Sequence, residues 1–381
     1  MSGVTGREDR PLSLAELIDL EVRLLDDRER DAGEIARRDA QIASALGPNV
    51  ATLPRHMLIR RWLAAVTDPN TPSIGHRISA SYRLAGWVLP IVMFLAGSGT
   101  ATGLLAYDGR DPVNIMGYLA VLVFLQGMLI LLTLTAMLPS AWVGGFLRIF
   151  GLDRGTGIPA LLREIGHRSA GVVATHASVG ARGRAALGSL AAWQTIYATV
   201  ERWLLTALTQ RAAVAFNLGA LAATIYLVTV RALAFAWSTT LEVDPAIMTS
   251  FFHAMATPWR WLEAAVPSRE LVVASRYFPG REYDPDLLGD WWPFLVAALV
   301  TYGLLPRVLM LTYAAYRSRA ARAALALDHG ECAALYERLV REASLWGHGD
   351  EVGTAVAANP RTGSDGDCAL PARGTMVRAL R

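Results

Sequence analysis

Residues 113–138 read VNIMGYLAVLVFLQGMLILLTLTAML, 26 residues without one charged side chain. A helix crosses the hydrocarbon core of a bilayer, about 30 Å thick, with about 20 apolar residues. Soluble core helices rarely run this long without charge. Three other stretches resemble it: 84–107, also without charge, and 212–237 and 291–313 with one arginine each, the shortest of them 23 residues. Four crossings follow. The expected fold is all-α: a polytopic membrane protein with four transmembrane helices, long helices extending into the cytoplasm, and a small helical periplasmic segment. The composition agrees, with 53% apolar and only 18% charged residues.

Working outward, the basic residues set the orientation. All 36 are arginine, and the chain has no lysine, which excludes lysine Schiff-base chemistry and a P-loop lysine. The region 1–83 holds 12 arginines and 12 acids, with Arg60, Arg61, Arg77 and Arg83 nearest the first crossing. No secretory signal peptide is expected there; the first span would direct insertion. Segment 139–211 has 8 arginines against 3 acids, whereas 238–290 has 4 against 8. Arg317, Arg319 and Arg322 follow the last span. Arginine stays on the cytoplasmic side, so both termini and 139–211 belong to the cytoplasm of a bacterial inner membrane, and 238–290 to the periplasm.

Local signals divide the remainder. Ser13-Leu-Ala-Glu16 reads as a capping box opening a helix. Leu17 and Leu24, with Ile18 and Leu25, form an apolar stripe that packs on the chain's own cytoplasmic part or on a partner. A helix is expected over 53–66. An interfacial helix is expected over 141–151, which is too short to cross. Trp193, Tyr197, Val200 and Leu204 keep a helical period with no breaker before span three, so one helix is expected over 185–237. Asp244-Pro245, Thr257-Pro258 and Ser268 mark helix starts in the 238–290 segment, whose Phe251, Phe252, Trp259 and Trp261 suit a membrane surface. Trp237, Trp291 and Trp292 read as interface anchors. Helix 314–346 continues span four into the cytoplasm, bent near Gly330. Residues 347–381 lack periodicity and read as a disordered tail.

Little in the chain is catalytic. Zinc-protease, P-loop and serine-elbow motifs are missing, and no histidine lies in a span to activate Ser98. His329-x-x-Cys332 has the spacing of half a zinc site, but a closed site needs four ligands. No catalytic, cofactor or metal residue is assigned. Cys332 and Cys368 fall on the cytoplasmic side, where a structural disulfide is not expected. Gly99-x-x-x-Gly103 offers a close-packing helix face. Arg231 and Arg307 are the charges inside spans, where charge is costly and often functional. Each lies near enough to a surface to snorkel. Asp290 and Glu242 at the outer border are candidate partners for Arg231.

Three stretches carry a resemblance: RPLSLAELIDLEVRLLDDRERD (10–31), ATPWRWLEAAVPSRELVVASRY (256–277) and WWPFLVAALVTYGLLPR (291–307). They resemble an uncharacterised family of bacterial inner-membrane proteins, known chiefly as a domain of unknown function. Its members are typically encoded beside a protein with a GTPase domain. The resemblance implies a GTPase-type partner and carries over no catalytic residue. Two functions are therefore expected: a non-enzymatic membrane component that docks such a partner through Leu17, Leu24, Trp193, Tyr197, Val200 and Leu204, or an oligomeric channel or transporter for ions or small solutes, lined by spans one and three. Membrane lipid is the expected surround. A homo-oligomer is open, and no nucleic-acid partner is expected.

Overall fold

The computed structural model describes residues 10–47, 50, 52–68, 70–107, 111–137, 194–239, 243–278, 285–325, 327–328 and 330–342. The interfacial helix at 141–151, Trp193, Glu242, Cys368, the tail at 347–381 and the side chain of Tyr197 lie outside the described residues. Among the described residues four helical runs are long and apolar enough to cross a membrane: Ile74–Leu104, Ile115–Thr135, Thr199–Val230 and Leu287–Ala323. They are numbered spans one to four.

Three helices precede them: α1 (Leu14–Arg28), α2 (Ala32–Leu46) and α3 (Arg55–Val66). Span one is α4 (Ile74–Leu104), which starts well before the apolar stretch because Ser73 caps it, accepting from His76 N–H. Span two joins α5 (Ile115–Leu119) through a wide π turn, Ala120–Phe124, to α6 (Leu125–Met137). Span three lies in α7 (Gln194–Val230). Beyond it come α8 (Pro245–Met255), α9 (Arg269–Ala274) and α10 (Pro285–Gly289). Span four then joins α11 (Trp292–Ala298), a second π turn at Leu299–Leu304, and α12 (Leu305–Ala323). A further helix among the described residues, α13, covers 330–342.

The long helix expected over 185–237 stops at Val230. No glycine or proline ends it. The chain instead straightens to form β2 (Phe235–Ala236), paired in parallel with β1 (Val113–Asn114), and the Val113 N–H donates to the Ala234 carbonyl at 2.7 Å. Burial of Leu233 to Trp237 against the rest of the chain outweighs helix propensity there. Span two correspondingly begins at Ile115, capped by the Asn114 side chain.

Spans one and three run parallel: Gly86 lies near Arg211, Gly97 against Phe216, and Ser98 donates its hydroxyl to the Gly219 carbonyl at 3.0 Å. Two glycines make the approach possible. A Cβ on Gly97 would collide with the Phe216 carbonyl, and one on Gly219 with the Phe94 carbonyl. The packing face expected at Gly99 and Gly103 meets no other helix among the described residues; both are exposed, and a Cβ on either meets nothing described within 4 Å. They sit on the far side of the helix from Gly97's contact.

At one end of the bundle α1, α2, α3 and α13 close a headpiece. Its core joins Leu17, Leu20, Leu24, Leu58, Ile59 and Trp62 to Cys332, Leu335 and Leu339. Leu17 and Leu24 are thus buried in the chain's own headpiece core, and are not an exposed docking face. Ile18 and Val22 turn to Ile78 at the start of span one. There Asp19 accepts from Ser73 Oγ (2.6 Å) and Gly75 N–H (2.7 Å). The helix expected over 314–346 breaks between α12 and α13, where Leu327 has φ 49°. Its side chain is buried in the headpiece core, and that burial holds the left-handed backbone.

The capping box is formed: Ser13 N–H donates to Glu16 Oε2 at 2.6 Å and Glu16 N–H to Ser13 Oγ at 3.3 Å. Burial raises the Glu16 carboxyl, but the Ser13 hydrogen bonds and Arg60 outweigh it, and the group sits below its usual range. A carboxyl depressed by folding stabilises above its unfolded value, about 4.3, and that stability is lost as pH falls through the folded value. Glu16→Gln is expected to lower headpiece stability at pH 7, with the gap to wild type closing below about pH 4; thermal melts across pH measure it.

At the other end lies a cap built from 233–239, 243–277 and α10. Asp244 and Ser268 cap α8 and α9 as expected, accepting from Ala246 and Leu271 N–H. Thr257 caps nothing; it sits inside a 3-10 turn and donates to the His253 carbonyl. Of the four aromatic residues expected at a membrane surface, Phe252 and Trp259 are buried in a core and Phe251 packs against it, whereas Trp261 is exposed. Phe252 lies 4.7 Å from Trp291, and both stack on Phe294. Trp237 and Trp291 are buried here, so neither serves as an interface anchor; the Trp237 indole donates to the Val272 carbonyl at 2.7 Å. Trp261 and Trp292 stay exposed.

Candidate functional site

Span three carries Gln210, Asn217 and Thr224, seven residues apart. Seven residues are nearly two helical turns, so the three share one face. That face points into the bundle, and all three are buried. Each meets a partner from span two or four. The Thr224 hydroxyl donates to the Ala220 carbonyl and lies 3.1 Å from the Tyr118 hydroxyl of span two. Asn217 Nδ2 donates to the Ala213 carbonyl at 2.9 Å, and its Oδ1 is buried without a hydrogen bond among the described residues. Gly303 of span four faces it so closely that a Cβ there would come within 2.5 Å of Oδ1. Gln210 Oε1 accepts from Arg307 Nη1 at 3.3 Å.

Arg307 is the charge in this seam. It is 4% exposed and does not snorkel. The other side of its guanidinium reaches span two, where Nη2 donates to Gln126 Oε1 at 3.1 Å. Its Nε is buried and has no hydrogen-bond partner among the described residues. Among the described residues two side-chain amides, and no carboxylate, hold it. Helical rise alone puts Arg307 near a surface; what turns it inward is the π turn before it. Leu299, Gly303 and Arg307 recur every four residues, and all are buried. In a plain α-helix that spacing drifts about 40° per step. The wide turn at Leu299–Leu304 takes up the drift. The matching π turn in span two ends two residues before Gln126. Single π turns concentrate at functional sites.

Other expected site residues are not brought to this seam. Arg231 lies one heptad beyond Thr224, but it is exposed just past α7 and makes no ion pair among the described residues. Asp290 is exposed and does not pair with it, since each faces solvent at its own helix end. Val200 is buried and Leu204 half-buried. On the same stretch Trp203 and Ala207 pack on Ala314 of α12, so the chain itself covers this face. Trp203 also stacks edge-on with Tyr313 and lies 5.4 Å from the Arg317 guanidinium.

A family model described as a protein of unknown function, DUF2868, matches residues 172–373, more than half of the chain. The chain belongs to this family. No curated protein and no solved structure matches it. The DUF2868 region takes in spans three and four, the cap and α13, and with them Gln210, Asn217, Gly303 and Arg307. Gln126, Gly97 and the opening stretch 10–31 lie outside it. The core of the seam is therefore inside the family region, and span two closes it from without.

Proposed function

We propose that the protein is a non-enzymatic component of the bacterial inner membrane that docks a cytoplasmic GTPase-type partner. The headpiece and both termini then face the cytoplasm and the cap faces the periplasm, in keeping with the arginine bias. The observation that carries this reading is the closure of one headpiece core by the helices before span one together with the helix after span four. Helix α1 is seated on the start of span one at Asp19, Ser73 and Gly75, and α13 follows span four after a six-residue break. A protein bound to the headpiece therefore acts on two spans together. The sequence has no nucleotide-binding loop, so GTP hydrolysis belongs to the partner. With Leu17 and Leu24 buried, docking shifts to the turn before α2 and the outer edge of that helix, where Arg30 and Arg37 respectively are exposed. The oligomeric channel draws no support from the contact of spans one and three, which is closed at Gly97 and Gly219.

The test is cross-linking in cells of the tagged whole chain, followed by purification and mass spectrometry. A GTPase-domain protein is expected among the cross-linked species, and Arg30→Glu with Arg37→Glu is expected to remove it without changing the melting temperature. Cross-links to no nucleotide-binding protein would refute the docking role.

A further inference from the structure

The seam along span three has a chemistry that docking does not use. A cation buried in a membrane protein is normally paired with an acid or carries function. Arg307 is buried beside Gln126 and Gln210 and keeps one N–H, at Nε, without a partner among the described residues. Toward the cap the seam continues with the Asn217 amide and then the hydroxyls of Thr224 and Tyr118. No aspartate or glutamate lies on it among the described residues. The desolvated guanidinium, with its Nε–H unpartnered among the described residues, sets a free donor on one positive charge between the Gln126 and Gln210 side chains, while Asn217 Nδ2 and the Thr224 hydroxyl already donate to carbonyls of their own helix. That arrangement suits a small monovalent anion and repels cations.

We propose that this seam, between spans two, three and four of one chain, binds and passes a small monovalent anion such as chloride, with Arg307 as its binding residue. In this structure the passage is shut where Asn217 fills the space against Gly303 and the Leu122 carbonyl of the facing π turn. Asn217 is therefore the gate. A register change in either π turn would move Gly303 or Leu122 away from it.

The experiment uses vesicles holding the purified whole chain alone, so its outcome does not depend on a docking partner. Chloride release is followed with an electrode after valinomycin is added under a potassium gradient. Asn217→Ala, which empties the gate, is expected to release chloride at least tenfold faster than wild type. Adding Arg307→Gln in the same chain should return release to the rate of protein-free vesicles, and Arg307→Lys should keep part of it. Should Arg307→Gln fail to fold, melting of the wild type provides a second reading: chloride should raise its melting temperature relative to gluconate, which is too large for the seam. The proposal fails if folded Asn217→Ala releases no chloride, if release survives Arg307→Gln, if cations pass equally well, or if chloride and gluconate give the same melting temperature.

Discussion

Gly97→Ala and Gly219→Ala should each destabilise the bundle, by about 1–3 kcal/mol, while Gly99→Ala and Gly103→Ala should leave it unchanged or slightly more stable. One methyl group is enough in the first pair, because the atom it strikes is a backbone carbonyl on the facing helix. A side chain could rotate away; a carbonyl inside a hydrogen-bonded helix cannot. Spans one and three would have to separate, and the Ser98–Gly219 hydrogen bond would lengthen with them. Apolar surface gives little help in lipid, where association rests on close packing and interhelical polar contacts. Alanine raises helix propensity by about 1 kcal/mol over glycine, which offsets part of the cost at Gly97 and Gly219 and is the whole effect at Gly99 and Gly103. Unfolding in mixed micelles of increasing denaturing detergent reads the difference. Four variants of equal stability would mean that the glycine contact does not hold the two spans together.

The contrast within one helix shows what the sequence makes legible and what it does not. Gly97, Gly99 and Gly103 are equally small, and spacing alone favours the pair four apart. Positions 97 and 99 differ by about 200° around a helix, and only the neighbouring span says which side is inside. The membrane class is legible because a run of 26 uncharged residues suits a bilayer and little else. The caps at Ser13, Asp244 and Ser268 are legible because a cap and its N–H lie within three residues. Long-range closure is not. The stripe of Leu17 and Leu24 implies a cover, but the core that buries it includes residues of α13, some 300 residues later. The end of α7 at Val230 depends on strand β1, which precedes it by more than 100 residues. The seam lies between these cases. Gln210, Asn217 and Thr224 stand at heptad spacing in an apolar run, and Gln126 stands out in span two. Depth along the helix says only that Arg307 nears a surface, and without the two π turns no helical wheel brings it to Gln126.

Asp39→Ala should open the headpiece. Asp39 is fully buried, and its carboxylate takes the Trp62 indole N–H at 3.0 Å, Arg38 at 2.8 Å and Arg338 at 3.1 Å. These partners sit on α2, α3 and α13, so one side chain ties the opening helices to α13. Arg38 would keep its bidentate bond to Asp27 at 2.7 and 2.8 Å. Arg338 would lose its described carboxylate and the Trp62 N–H its only described acceptor. Breaking a buried charge pair from one side costs about 3–5 kcal/mol. Cys332 is a native reporter, because it lies in the same core and burial pushes its thiol well above the usual range. In a Cys368→Ser background, maleimide labelling of Cys332 should quicken by at least about a hundredfold in Asp39→Ala, since each 1.4 kcal/mol of opening is a factor of ten. Asp39→Asn, which keeps an acceptor for Trp62 and loses the charge, should fall between the two. The bundle responds to the headpiece only if they share stability. Asp39→Ala should therefore also lower the unfolding midpoint of the spans, through α1 on span one and α13 beyond span four. Fast labelling with an unchanged midpoint would mean that the headpiece opens independently, and a partner bound there would have no mechanical hold on the membrane helices.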